Sequence, residues 1–325
     1  MNKIVFNKVL KDNVKADVIY NAADMQEQFA KGGGMPSLPE VEKHYGNQVF
    51  LPAPLEERPY IFSSIALSAD GKMAYMDNKK GYLVAGTNAR DPEGASMDFW
   101  CLNFLRAYSD GLLIGANTLK NEPGVLNYVI DEQLNRERKE VLDKKENPVN
   151  ILVSLDGTDI PWDHASFDID PADRVKIMIA TSPAGYEYIL KNTDKKVNLI
   201  AKIESESDIE KVKDYALFSK FDEYPVLVTG NDKNPDPVLM LRALKKMGLD
   251  YLCAESPTYT AILMKNRCLD EQFVTYSMVY AGGTMTPGMI TPQSCTDHVH
   301  SDLVSIGIHN KNFLYTRQKL IYGLK

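Results

Sequence analysis

The sequence predicts an α/β fold: a mixed, mostly parallel sheet with helices on both faces and an antiparallel hairpin at its C-terminal end. Two observations carry that reading. From Tyr60 onward, short apolar runs alternate with segments of helical periodicity over about 200 residues, as a layered α/β domain with a largely parallel sheet requires. Near the end, LVSIGIHNKNFLYTRQKL places two strand-like runs around His309-Asn310-Lys311-Asn312, which has turn chemistry. That hairpin makes one edge of the sheet antiparallel.

The elements follow in order. YIFSSIALS reads as a strand, MDFWCLNFLRAYS as an amphipathic helix and DGLLIG as a short buried strand. DEQLNRERKEVLDKKEN is a charged helix or helical loop. VNILVSLDG, RVKIMIATS and KVNLIAKI are strands, and SDIEKVKDYALFSKF is a helix with Ser207 as its cap. YPVLVTG is a strand. DPVLMLRALKKMG is a helix with Pro237 in its first turn and Gly248 at its end. LDYLCAE is a strand, PTYTAILMKN a helix and EQFVTYSMVYAGG a strand. That last run is too rich in Val, Tyr and Met for a bare edge, so it belongs inside the sheet or at a subunit contact.

Residues 1–57 differ. AKGGGMPSLPE and FLPAPLEERP are Gly/Pro-rich with little periodic pattern between them, so this part reads as an extended arm preceding a domain over 58–325. The triple glycine Gly32-Gly33-Gly34 is a flexible turn and not a phosphate loop, because no strand precedes it and no helix follows.

The chain has 325 residues, a net charge of −7 and 25% charged residues. Mild acidity without a Lys/Arg-rich run argues against nucleic acid or a membrane surface as partner. No apolar run reaches the roughly 18 residues of a membrane span, and the N-terminus lacks a signal-peptide core. A cytoplasmic protein acting on a small molecule is expected. The four cysteines form no CxxC pair, and Cys253, inside an apolar run, reads as a buried thiol. His298-x-His300 has no third ligand nearby, so no metal is expected.

Three stretches could carry chemistry. Ser68-x-Asp70-Gly71 turns the chain sharply at a strand end. Gly115-x-x-Thr118 follows another strand, where a glycine admits a ligand to the backbone and a threonine adds a hydroxyl. In AESPTYTAIL, Ser256 is an N-cap and Pro257 a first helical residue, and amides at a helix N-terminus form an anion site. Glu255, last in its strand, would point into the same crevice. Met73, Tyr75, Met76 and Tyr82 could line a pocket, with core packing the stronger reading, and the TMTPG loop at 284–288 could cover the site.

Together, RPYIFSSIALSADGKMA, FLRAYSDGLLIGANTLKNEPGVL and LRALKKMGLDYLCAESPTYTAILMKNRCLDEQFVTYSMVYAGG resemble the reductase domain of the riboflavin-biosynthesis deaminase/reductase family. ILVSLDGTDIP is a fourth, weaker match. The resemblance covers roughly 58–290; the family's zinc-deaminase signature is absent from this sequence. It implies a dihydrofolate-reductase-like fold, a homodimer, NADPH as cofactor and reduction of a ribosylamino-pyrimidine phosphate. Ala66 and Thr118 then fall on cofactor-binding positions, and Asn121 or Glu122 falls where the family has a cofactor-binding Asp. Ser256, Pro257, Thr258 and Tyr259 fall on the phosphate-binding segment. Arg106 and Leu126 fall on substrate-binding positions, Ser64 replaces a frequent substrate-contacting Lys, and Glu255 is the substrate-facing glutamate. The chain has Glu255-Ser256-Pro257-Thr258 where the family has a Glu followed by small residues and glycine before Pro-Thr.

Hydride transfer also needs a proton at the reduced centre, and Glu255 and Asp70 are the candidate donors. Two alternatives differ in class: a catalytically inactive nucleotide-binding member, and a folate or pterin reductase of the same fold.

Overall fold

The computed structural model describes residues 3–168, 175–212 and 223–324. The elements are β1 (Asp17–Asn21), α1 (Ala23–Lys31), α2 (Pro39–Tyr45), β2 (Tyr60–Ser68), α3 (Leu83–Gly86), α4 (Pro92–Tyr108), β3 (Gly111–Gly115) and α5 (Ala116–Asn121). They continue with α6 (Glu132–Glu140), β4 (Val149–Val153), β5 (Ile177–Thr181), α7 (Pro183–Asn192), β6 (Val197–Ile203), β7 (Tyr224–Thr229), α8 (Pro237–Lys246), β8 (Tyr251–Ala254), α9 (Pro257–Lys265), β9 (Glu271–Ser277), β10 (His300–His309) and β11 (Phe313–Ile321).

Eleven strands form one sheet in the order β1-β10-β11-β9-β2-β8-β3-β4-β5-β7-β6. From β9 to β6 every pairing is parallel; β1, β10, β11 and β9 pair antiparallel. This is the mixed, mostly parallel sheet with a C-terminal hairpin that the alternation predicts. Side chains of one strand alternate between two cores, because successive Cβ atoms point to opposite faces. Tyr60, Phe62, Leu112 and Ile114 join Trp100, Phe104 and Tyr108 of α4. Ile61 and Leu113 join Leu241 and Leu244 of α8 and Leu263 of α9. Strand β9 is flanked by β2 and β11, so the apolar run expected inside the sheet or at a contact is interior.

Three readings need correction. The helix read from Met97 begins at Pro92, where Asp91 accepts from the Gly94 amide and Pro92 takes the first turn. Ser207 caps nothing: a 3-10 turn, Glu206–Lys211, starts after Ser205, whose hydroxyl and Asp208 form the capping box. The remainder of the helix expected to 221 lies outside the described residues. Residues 1–57, read as an extended arm, hold β1, α1 and α2. Leu38, Val41, Tyr45, Val49 and Leu51 are buried in the α4 core, and Arg317 donates to the Phe50 carbonyl (2.7 Å). Leu38, Val41 and Tyr45 have helical spacing, but over a helix of only seven residues between Pro- and Gly-rich stretches, too short a window to stand out.

Candidate active site

The site exists because β8 is short. Strand β2 pairs with β8 only over Tyr60–Ser63, while its second half continues beside β9, to Ser68↔Ser277. Strand β3 pairs with β8 only as far as Leu113↔Ala254. Beyond Ala254 a notch opens between β2 and β3, at the carboxyl ends of the strands, where open α/β sheets bind ligands. The turn Glu255-Ser256 fills its floor, anchored by the Glu255 amide on the Leu113 carbonyl (3.0 Å). The crevice over this notch has a volume of ≈1490 Å³. Ser64, Ala66, Arg106, Thr118, Asn121, Glu122, Leu126, Glu255, Ser256, Pro257, Thr258 and Tyr259 all line it.

Arg106 and Glu255 form the centre of its floor. Helix α4 delivers Arg106 from its last turn, and the end of β8 delivers Glu255. Nε donates to Oε1 (2.7 Å) and Nη2 to Oε2 (2.6 Å), a fork-to-fork pair. Nη2 also donates to Asn127 Oδ1 (2.8 Å) and Nη1 to the Tyr128 carbonyl (3.1 Å). The two side chains are 2% and 7% exposed, so the pair is nearly dry. Burial works against the Arg106 charge, but Glu255 outweighs it and holds the guanidinium above its usual range. Glu122, at the end of α5, is pushed up by burial and by the charge of Glu255; Arg106 and Lys80 oppose that shift.

At the anion end, Ser256 caps α9 by accepting from the Tyr259 amide (3.4 Å), with Pro257 in the first turn. Pro257, Thr258 and Tyr259 of this turn line the crevice, and the nine-residue helix adds its dipole. Gly115 lines the crevice, as its motif suggested, and has a second task. A Cβ there would lie 2.7 Å from Ser256 Oγ, so the glycine lets the β3 end and the α9 cap approach each other.

Asp70 is the candidate that the structure leaves out of the crevice. Its carboxylate accepts from Ser68 Oγ (2.6 Å) and from the amides of Ala281 (3.1 Å) and Gly282 (2.8 Å). Those bonds, with the Ser68 hydroxyl first, hold its carboxyl down to about 2, the wrong range for proton donation near neutrality. It fastens the segment after β9 to the β2 turn. That segment in turn lays Met285, Met289 and Ile290 along the crevice, and the Met73 amide donates to the Met285 carbonyl (2.9 Å). Met73 and Tyr82, read as core, are crevice walls, because the 69–82 loop runs over the notch and not beneath the sheet.

Sequence reading missed several wall residues. Asn7 and Val9 reach the crevice from the N-terminal segment, held by Asp131, which accepts from the Val9 amide (3.0 Å). Asp98 lies on α4, four and eight residues before Leu102 and Arg106, on the same helix face. Its signal was present: an acid at helical spacing from Arg106 within an apolar run.

Comparison with known proteins agrees with this architecture. A pyrimidine reductase-like protein from Corynebacterium diphtheriae NCTC superposes with a TM-score of 0.53 at 16% identity, over 82% of this chain and 94% of that one. A deaminase/5-amino-6-(5-phosphoribosylamino)uracil reductase from Thermotoga maritima gives 0.51 at 13%, over 82% of this chain and 58% of that one. RibD from Acinetobacter baumannii gives 0.51 at 13%, over 82% and 59%. The chain therefore spans little more than half the length of these last two. At such identities the likeness shows the fold alone. No curated protein matches the chain. The family model described as the RibD C-terminal domain matches residues 59–307. That match runs from the start of β2 into β10 and takes in all three crevice-forming strand ends: the chain belongs to the RibD C-terminal domain family.

Proposed function

We propose that this protein is a reductase that uses a nicotinamide nucleotide, NADPH, and acts on a ribosylamino-pyrimidine or a related pyrimidine or pterin. The observation that carries the reading is the convergence of Ala66, Thr118 and the capped N-terminus of α9 on one crevice. Its volume exceeds the roughly 300–1,000 Å³ of ordinary small-molecule sites, enough for a dinucleotide with a small substrate. The α9 amides, Ser256, Thr258 and Thr118 would hold the phosphates; Ala66, without a long side chain, leaves room against β2. When bound, the reduced nicotinamide supplies a hydride.

The chain's own residues position the partner. Arg106 and Glu255 form a rigid polar floor, Leu126 and Tyr82 flank it, and the methionines of the 285–290 segment exclude water. Glu255 serves as a substrate-facing hydrogen-bond acceptor. Both of its oxygens already accept from Arg106, which suits orienting a ring better than delivering a proton. Family resemblance supports a cytoplasmic homodimer, which light scattering would test against the 36.5 kDa chain.

The reading is tested by fluorescence titration with NADPH and NADH, on the wild type and on Thr118→Tyr. The reading expects the wild type to bind and the tyrosine to fill the crevice and weaken NADPH binding at least tenfold, about 1.4 kcal/mol. A folded Thr118→Tyr with unchanged affinity would count against it.

A further inference from the structure

The crevice walls hold four carboxyl groups, Asp98, Glu122, Asp159 and Glu255. Three have assigned contacts: Glu255 with Arg106, Asp159 with the Ser154 hydroxyl, and Glu122 beside Arg106 and Lys80. Among the described residues neither Asp98 nor Asp159 has an ion-pair partner; Asp159 is tied to the Ser154 hydroxyl beside β4, and Asp98 stands on α4. The Thr275 hydroxyl on β9 lies close enough to Asp98 to favour its charged form. The other ionisable groups that feel it are Cys101, one turn on along α4, and Tyr315 of β11, which donates to the Gly94 carbonyl (2.8 Å). Burial pushes both of these upward, so neither bears charge near neutrality. From β2, Ser64 and Ala66 face the same space and do not ionise.

Position adds to this isolation. Thr275 is the register partner of Ala66, so Asp98 stands over the half of β2 that projects past β8. Eight residues before Arg106 on a helix rising 1.5 Å per residue, it lies about 12 Å along α4 from the Arg106–Glu255 floor. The crevice thus has an ion-paired end and an end with a lone carboxyl group.

We propose that Asp98 is the proton donor of the reduction, the role that sequence reading gave to Glu255 and Asp70. The inference rests on the reductase reading. A carbon doubly bonded to nitrogen or oxygen gains the hydride from the reduced nicotinamide, which is thereby oxidised. The nitrogen or oxygen takes the proton from the Asp98 carboxyl group, and water re-protonates the carboxylate afterwards. Asp98 is half-buried in the crevice wall, and the desolvation it suffers there supports the role by raising it to about 6, so that a protonated fraction persists near neutrality.

The experiment uses the whole chain. Carbon-13 carboxyl NMR of the protein without cofactor should show one aspartate titrating near pH 6, absent in Asp98→Asn. That variant should lose at least 100-fold in kcat, with KM and NADPH affinity within about threefold. Thr275→Val removes the hydroxyl that lowers Asp98, so it should move the alkaline fall of kcat to higher pH, a shift that a merely structural role would not give. Asp98 ionised throughout pH 5–8, or Asp98→Asn retaining full kcat, overturns the proposal. If the wild type binds neither NADPH nor NADH, the reductase reading falls and takes the donor role with it; the NMR titration shows separately whether Asp98 holds a proton.

Discussion

Arg106 and Glu255 are 149 residues apart in sequence, yet Nη2 of one lies 2.6 Å from Oε2 of the other in a nearly dry floor. Removing one partner of such a pair strands the other charge, at a cost of about 3–5 kcal/mol. Glu255→Ala should therefore lower stability by that order in urea unfolding. Glu255→Gln keeps one acceptor for the Arg106 fork and should cost less. If Glu255 serves the substrate, Glu255→Gln should depress turnover while NADPH affinity stays within about threefold, roughly 0.65 kcal/mol. Loss of NADPH binding in a folded variant would instead move Glu255 to the cofactor side.

The contact of Gly115 with the α9 cap predicts a sign for a double-mutant cycle. Gly115→Ala puts a methyl group 2.7 Å from Ser256 Oγ and should destabilise by displacing the cap, about 1–2 kcal/mol. Ser256→Ala alone should cost about 1 kcal/mol through the lost cap. In the double variant the hydroxyl that clashes is gone, so the two costs should sum to less than their separate values. Strict additivity in chemical denaturation would show that the two do not meet.

Much of the frame was legible from sequence because parallel strands and amphipathic helices write their burial into short windows. Strand β2, helix α4 from Met97 and the 303–320 hairpin are of this kind. The floor was legible as residues, with Arg106 as the candidate cation opposing Glu255, but not as a dry fork: nothing local to either residue shows that α4 ends beside β8. Asp70 misled because a Ser-x-Asp-Gly turn at a strand end has the same sequence whether its carboxylate faces a ligand or, as here, the amides of Ala281 and Gly282. The walls at Asn7 and Val9 come from a segment without periodicity, placed by long-range contacts alone, whereas Met285 falls in the TMTPG stretch read as covering the site.

That role for Asp70 predicts a local effect. Asp70→Ala removes both side-chain contacts that bind the 281–282 backbone to the β2 turn. Amide exchange at Ala281 and Gly282 should accelerate at least tenfold, while amides within β9 keep their protection. With its carboxyl held down to about 2, the wild-type contact should persist unchanged from pH 4 to pH 8. Any loosening of those two amides between pH 8 and pH 5 in the wild type would contradict the assignment.

Asp98 predicts a pH-dependent stability that can be read without substrate. Its folded value, about 6, lies above the roughly 3.9 of an unfolded aspartate, because burial penalises the carboxylate. The sign follows from proton counting. Between these values the folded chain holds the proton more tightly, so Asp98 ceases to help as pH rises. Its contribution is complete below about pH 4 and lost by the time pH passes through about 6. Two pK units set an upper bound of about 3 kcal/mol, less where the crevice admits water. Asp98→Asn cannot ionise, so its stability relative to wild type should improve by about 1–3 kcal/mol between pH 4.5 and pH 8 in urea unfolding. A constant difference across that range would mean that Asp98 titrates as an ordinary surface aspartate and that the lone carboxyl end of the crevice is wet.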